Sequence, residues 1–398
     1  MPIRRTARVL IAGIVALAPL SLFADQAPSP TYIERMSNRV TEWQKALPEI
    51  RTSASAAAAK VMQGGNLYVA GPQGTFQAEA NGRAGGLMLT RWYAATQALT
   101  SADVVLAATT TTNQSAELQK LFENAERGGA TVVLFGNAFP PPPLKKGAID
   151  LLPAKPFGPD PAPTALSLES ISNLIGLWGW TGEFITACVA HGQMPCVYES
   201  FGLPGGPERG ESLKGLRFHE LTTVTQADAK DLGARFFQKT AQSLKEAADG
   251  NREAFKKAAA MIGASHAAGT TIRVDGIAHI FPAEFKQAPT PSWFQVGEAK
   301  EGRRAGDLTL YLGYQAFPWP LVKSVAEDGS HCIVACSHLP TPEFTATGNV
   351  YLNPHWDLQD GGIELNGYDV RLLPLSGIMD SAIYWQLVEL STAPEVGD

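Results

Sequence analysis

The chain reads as an α/β protein of two tandem three-layer domains, each a parallel sheet flanked by helices. Two observations predict this. Short apolar runs alternate with helical patterns through most of the 398 residues. The same series then returns about 200 residues later. LYVAGPQGTFQAEA at 67–80 aligns with IRVDGIAHIFPAEF at 272–285, with Gly, Phe, Ala and Glu coincident at 71/276, 76/281, 78/283 and 79/284. Ala102-Asp103 before one apolar run matches Gly306-Asp307 before another, and Gly129 onward matches Gly329 onward. The run 148–153 matches 349–354, and Gly176 matches Gly377, each set before a helix.

Taken in order, residues 1–24 have the form of a secretory signal. Arg4, Arg5 and Arg8 precede the apolar stretch Val9–Phe23, and Ala24 is a plausible cleavage end. That stretch is short for a membrane span of about 20 residues, and no later segment is long and apolar enough to replace it. The expectation is an exported protein, periplasmic or extracellular, with no membrane span once the signal is gone. Losing the signal takes the net charge from −6 to −9, and an acidic chain without a basic run is a poor partner for nucleic acid. Residues 25–201 form the first domain, 202–225 the linker (rich in Gly and Pro) and 226–398 the second domain.

Residues 33–62 read as helix broken near Pro48. Leu67–Ala70 is a buried strand, followed by a turn through Gly71, Pro72 and Gly74 and a helix through Phe76 and Glu79. Val104–Ala108, 130–135 and 148–152 are further strands. Between them lie a Thr-rich loop at 109–115, a helix over 116–127 and a proline-rich loop at 137–146. Residues 167–191 are helical, and 225–264 return to helix as the first half began. Four cysteines fall two per half. Cys188 and Cys196 could bridge in an exported protein. Cys332 and Cys336 lie on one strand, about 13 Å apart, too far to bond to each other. With His331 and His338 nearby they suggest zinc, but strand alternation sends His331 to the opposite face, so no metal site is expected.

A strand, glycine turn and helix can hold an anion on backbone N–H groups and the helix dipole. In this chain the unit is Gly71, Gly74, Thr75 and Glu79, ending in Arg83-Ala84-Gly85-Gly86-Leu87. On these residues each half resembles a sugar isomerase (SIS) phosphosugar-binding domain, and the first half resembles SIS-type proteins that carry an Arg-Ala-Gly-Gly-Leu segment. The resemblance implies a five-stranded parallel sheet in each half. It also implies a Ser/Thr loop after the second strand that holds a phosphate. Against the approximate family pattern S-x-S-G-x-T, Thr109 and Thr111 fall on the Ser positions and Thr112 replaces the Gly. Ser115 comes one residue late, and Thr110 lies inside the cluster. A Thr-rich turn capping a helix accounts for the same residues.

The second half has no such hydroxyl cluster, only Tyr314 in Gly313–Pro320, so one half looks built to bind and the other to close a shared cleft. The partner implied is a sugar, a phosphosugar or an amino-sugar derivative in the first domain near the domain interface. The ligand-binding set is Gly71, Gly74, Thr75, Arg83, Thr109–Thr112, Ser115 and Gly276. The alternative is an isomerase or lyase with Glu79, His279 and Glu284 as acid and base. A structural or interaction role is the third reading, and Glu79–Arg83 as a simple i,i+4 pair closing a helix is the plain account of those two residues. No cofactor is expected, and a homodimer is compatible with the sequence.

Overall fold

The computed structural model describes residues 31–392, apart from 72–75, 111–114, 137–148, 154–161, 163, 277–290, 297–303, 305, 315 and 357–358. Gly74, Thr75, Thr111, Thr112, His279, Glu284 and the leader segment 1–24 lie outside the described residues.

Two helices come first. α1 (Tyr32–Lys45) opens with a capping box in which Thr31 Oγ1 accepts from Glu34 N and the Glu34 carboxylate accepts from Thr31 N. α2 (Leu47–Met62) follows after Ala46. Pro48 sits in its first turn, where the missing N–H costs nothing, so the helix breaks two residues earlier than the proline.

The first sheet contains β1 (Leu67–Ala70), β2 (Thr90–Trp92), β3 (Val104–Ala108), β4 (Thr131–Phe135) and β5 (Ile149–Leu152) in the order β2-β1-β3-β4-β5. Its crossovers include α3 (Phe76–Ala80) and α4 (Ser115–Gly128), and α5 (Ala165–Ala190) follows β5. The second half runs α6 (Gly206–Ser212), α7 (Leu232–Gly250), α8 (Arg252–Ala267), β6 (Ile272–Gly276), β7 (Phe294–Val296), β8 (Leu308–Leu312), α9 (Trp319–Glu327) and β9 (His331–Ala335). It ends with α10 (Pro342–Ala346), β10 (Val350–Leu352), the antiparallel pair β11 (Gly361–Ile363) and β12 (Leu372–Pro374), and α11 (Ser376–Thr392).

Read from its other edge, the second sheet is β7-β6-β8-β9-β10, the same order as the first, and both are parallel throughout. This is the physical form of the sequence repeat. One pairing fails: Gly377 is the second residue of α11, whereas Gly176 lies deep inside α5, its Cα against the Trp43 ring. The β11–β12 pair lies between β10 and α11, so α11 starts further from β10 than α5 does from β5. α6 also occupies part of the segment expected to be linker.

Alternate residues of the strands bury two different surfaces. Leu67, Val69, Val104, Leu106, Ile272, Val274, Leu308 and Leu310 join one large core with α1, α2, α5, α7, α8 and α11. The opposite face of the first sheet packs on α4, and that of the second on α9 and α10. The central helices therefore belong to both halves, and the described residues from 31 to 392 form one compact unit. No described helix is long and apolar enough to cross a membrane. All four cysteines are buried free thiols, so no bridge joins Cys188 and Cys196; burial pushes Cys188 up to about 12 and Cys196 up to about 11. On β9, His331 is exposed while Cys332 and Cys336 pack in the core, as strand alternation requires.

Candidate functional site

In this strand order the chain leaves β1 and β3 in opposite directions. Phe76 and Ala80 of α3 pack into the central core, whereas Leu118, Leu121 and Phe122 of α4 pack on the outer face. A crevice opens where the two connections part, at the carboxyl ends of neighbouring strands. A cavity of about 630 Å³ occupies that position. Ala70 and Gly71 at the end of β1 and Ala108 at the end of β3 form its floor, and small side chains keep it open. Gly71 has φ 130°, and a Cβ there would stand 3.3 Å from the Ala108 backbone, so only glycine allows this approach.

Trp92, which ends the short β2, and Tyr93 after it form one wall; Trp92 is 63% exposed. Tyr93 is fixed by an edge contact to Tyr68 and accepts from Asn124 Nδ2 at 2.7 Å. Glu117 and Lys120 from the first two turns of α4 bring one charge of each sign. The cavity offers an aromatic face, a cation, a carboxylate and the amino end of a 14-residue helix.

Of the residues expected from sequence, Gly71 lines this cavity, and Ser115 is the first residue of α4. Thr109 and Thr110 follow β3 but are buried; Thr109 N–H donates to Phe135 O and its carbonyl accepts from Asn173 Nδ2, both at 3.0 Å. Gly276 ends β6 in the other sheet, opposite Leu312. Glu79 and Arg83 point away from the cavity. α3 turns Gln77 and Ala78 toward it and Glu79 toward the interior.

There Glu79 joins a second constellation at the junction of the two halves. Arg83, only 1% exposed, lies 3.3 Å from Glu79 Oε1 through Nε and donates through Nη2 to Asp360 Oδ2 at 2.8 Å and to Ser376 Oγ. Asp360 also accepts from Ser376 N at 2.8 Å, capping α11, and the Tyr314 ring lies 5.7 Å from the guanidinium carbon. Asp380, one turn along α11, accepts from Trp356 Nε1 at 3.5 Å. Burial, outweighing the nearby Arg83 charge, raises Glu79 to about 7, and burial drives Asp380 well above the carboxylate range. Burial alone would weaken the Arg83 charge, but Glu79 and Asp360 more than offset it and its pKa rises. The Arg83–Leu87 strap is fixed on both sides: Gly85 N donates to Tyr198 O at 2.7 Å, and Gly85 O accepts from Leu373 N at 3.0 Å.

Sequence reasoning missed Trp92 and Tyr93, because β2 is three residues of mixed polarity, and Lys120, one of several charged residues on α4. It also missed Asp360 and Asp380. The signal for Asp380 was present as the lone acid in the apolar run Gly377–Trp385.

No protein-family model matches the chain, and no curated protein does. Solved structures do. A protein of Salmonella typhimurium LT2, provisionally named sugar binding, aligns over 89% of this chain and 97% of its own, at 10% identity and TM-score 0.48. A provisionally named phosphosugar isomerase of Clostridium difficile 630 aligns over 90% and 92%, at 10% identity and TM-score 0.43. The C-terminal domain of the glucosamine-fructose-6-phosphate aminotransferase of Francisella tularensis aligns over 92% and 96%, at 8% and 0.40. With every score below 0.5, the fold rests on the strand order and packing described above.

Proposed function

We propose that this chain is an exported SIS-type protein that binds a sugar, or its phosphorylated or amino derivative, in the crevice between β1 and β3. One observation carries the reading: the 630 Å³ cavity lies at the point where the order of the strands reverses, with Trp92 exposed on its wall. A sugar ring stacks its C–H face on an indole, and its hydroxyls suit a carboxylate such as Glu117. Lys120 and the start of α4 supply the attraction for a phosphate. Binding is favoured over isomerase or lyase chemistry because Glu79, the one described acid proposed for catalysis, is held by Arg83 away from the cavity.

A thermal-shift panel of hexoses, amino sugars and their phosphates on residues 25–398 tests the reading. A ligand at a hundredfold its Kd adds about 2.7 kcal/mol and raises the melting temperature. A panel with no shift at millimolar concentration would overturn it. Export is tested separately: N-terminal sequencing of secreted material should begin near Asp25, and retention of Met1 would remove that part.

A further inference from the structure

A second concave site lies just past the Arg83–Leu87 strap, from Met88 onward. Three segments pair there through their backbones. Gly85 N and Met88 N donate to Tyr198 O and Cys196 O, Tyr198 N donates to Gly86 O, and Cys196 N donates to Arg217 O. Their surface, roofed by Phe201 and the turn after α6, encloses a cavity of about 410 Å³. Arg91, Arg217, Lys214, Glu211, Tyr198 and Phe201 line it.

The charges do not balance. Lys214 pairs with Glu211 at 3.0 Å, but among the described residues neither Arg91 nor Arg217 is paired with a carboxylate. Arg217 Nη2 donates to the Val61 and Gly65 carbonyls at the end of α2, which fixes its guanidinium in place. Burial first, and then the like charge of Arg91, lowers the Arg217 pKa, so the two guanidinium groups feel each other. Two arginines lining one cavity, neither paired with an acid, offer charge that a phosphate or carboxylate would neutralise. Beside them stand Tyr198, half-buried, and Phe201, 64% exposed.

We propose that this cavity is an anion site, separate from the crevice at β1 and β3, for a small phosphorylated or carboxylated molecule with a flat apolar face. Arg91 and Arg217 hold the anion, and Tyr198 and Phe201 cover the ring. The pairing of the three segments forms the site in advance. It also places the site one strand from the sugar crevice: β2 sends Arg91 into one cavity and Trp92 into the other.

The test is titration calorimetry of the full chain with phenyl phosphate, inorganic phosphate and phenol at low and high salt. Phenyl phosphate should bind at least fivefold tighter than inorganic phosphate, phenol should give no heat, and high salt should weaken both anions. Arg91→Gln should weaken both anions at least tenfold. Lys214→Gln, a fully surface change, should weaken them less. Phe201→Ala should remove the advantage of the phenyl group, and Lys256→Gln, an exposed change on α8 that lines neither cavity, should leave these affinities unchanged. Absence of anion binding to the wild type, or unchanged affinity in a folded Arg91→Gln, would overturn the proposal. Loss of all binding in Trp92→Ala would overturn it too, by placing the anion in the sugar crevice, whose own test does not depend on this one.

Discussion

At the scale of single residues, Arg83 is the centre of the junction. It is one buried cation facing three buried carboxyl groups, Glu79, Asp360 and Asp380, from three different segments. Removing it as Arg83→Met would leave those acids without their cation and should cost about 3–5 kcal/mol in chemical denaturation. Glu79 gives the junction a definite pH response. Its native pKa, about 7, exceeds the ordinary value of 4.5, so between those values the folded chain holds a proton that the unfolded chain releases. The stability this proton supplies is complete below pH 4.5 and is lost as pH rises through 7. The slope is up to about 1.4 kcal/mol per pH unit. Glu79→Gln should flatten that slope across pH 5–7, with Asp380 leaving a remainder; an unchanged slope would contradict the assignment. The Glu79–Arg83 spacing was legible as an i,i+4 pair. Asp360, 277 residues further on, was not, because nothing local marks the partner of a distant arginine.

At the scale of elements, the strap after α3 depends on backbone that only glycine supplies. Gly82 and Gly85 both have positive φ, 85° and 80°. A Cβ at Gly82 meets nothing within 4 Å, whereas one at Gly85 meets Arg371 O and Leu373 N, each at 2.9 Å. Gly82→Ala should therefore cost about 1 kcal/mol, the conformational penalty alone, and Gly85→Ala clearly more. Equal melting temperatures for the two variants would contradict the close crossing of strap and β12. The buried strands β1 and β3 could be read from sequence because each is an unbroken apolar run bounded by polar or turn residues, and β8 because only Thr309 interrupts its run. The edge strands β2 and β7 could not, since three residues are too few to show a period. The wall of the crevice was lost with β2.

At the scale of the molecule, the repeat predicted two halves, and the strand orders agree. What the repeat did not reveal is how thoroughly the halves share helices. α7 of the second half packs on α1 and α5 of the first, and Glu183 of α5 accepts from Gly233 N and Ala234 N at the start of α7. Arg51 ties the same corner, bonding Glu183 at 3.2 Å and Asp231 at 2.6 Å. Unfolding in urea should accordingly be a single transition, with tryptophan fluorescence and far-ultraviolet dichroism coinciding. Residues 31–201 alone should not fold. Two separated transitions would show the halves to be independent domains.

The central claim is that the crevice between β1 and β3 takes a sugar or sugar phosphate, and titration calorimetry tests it most directly. Hexose and amino-hexose phosphates are titrated into the wild type, Trp92→Ala and Lys120→Gln. The account predicts saturable binding by the wild type and at least a tenfold loss in Trp92→Ala, because the ring loses its stacking face. Lys120→Gln should lose affinity for the phosphorylated ligand only. Equal affinity in all three proteins, or no binding to any, would contradict it.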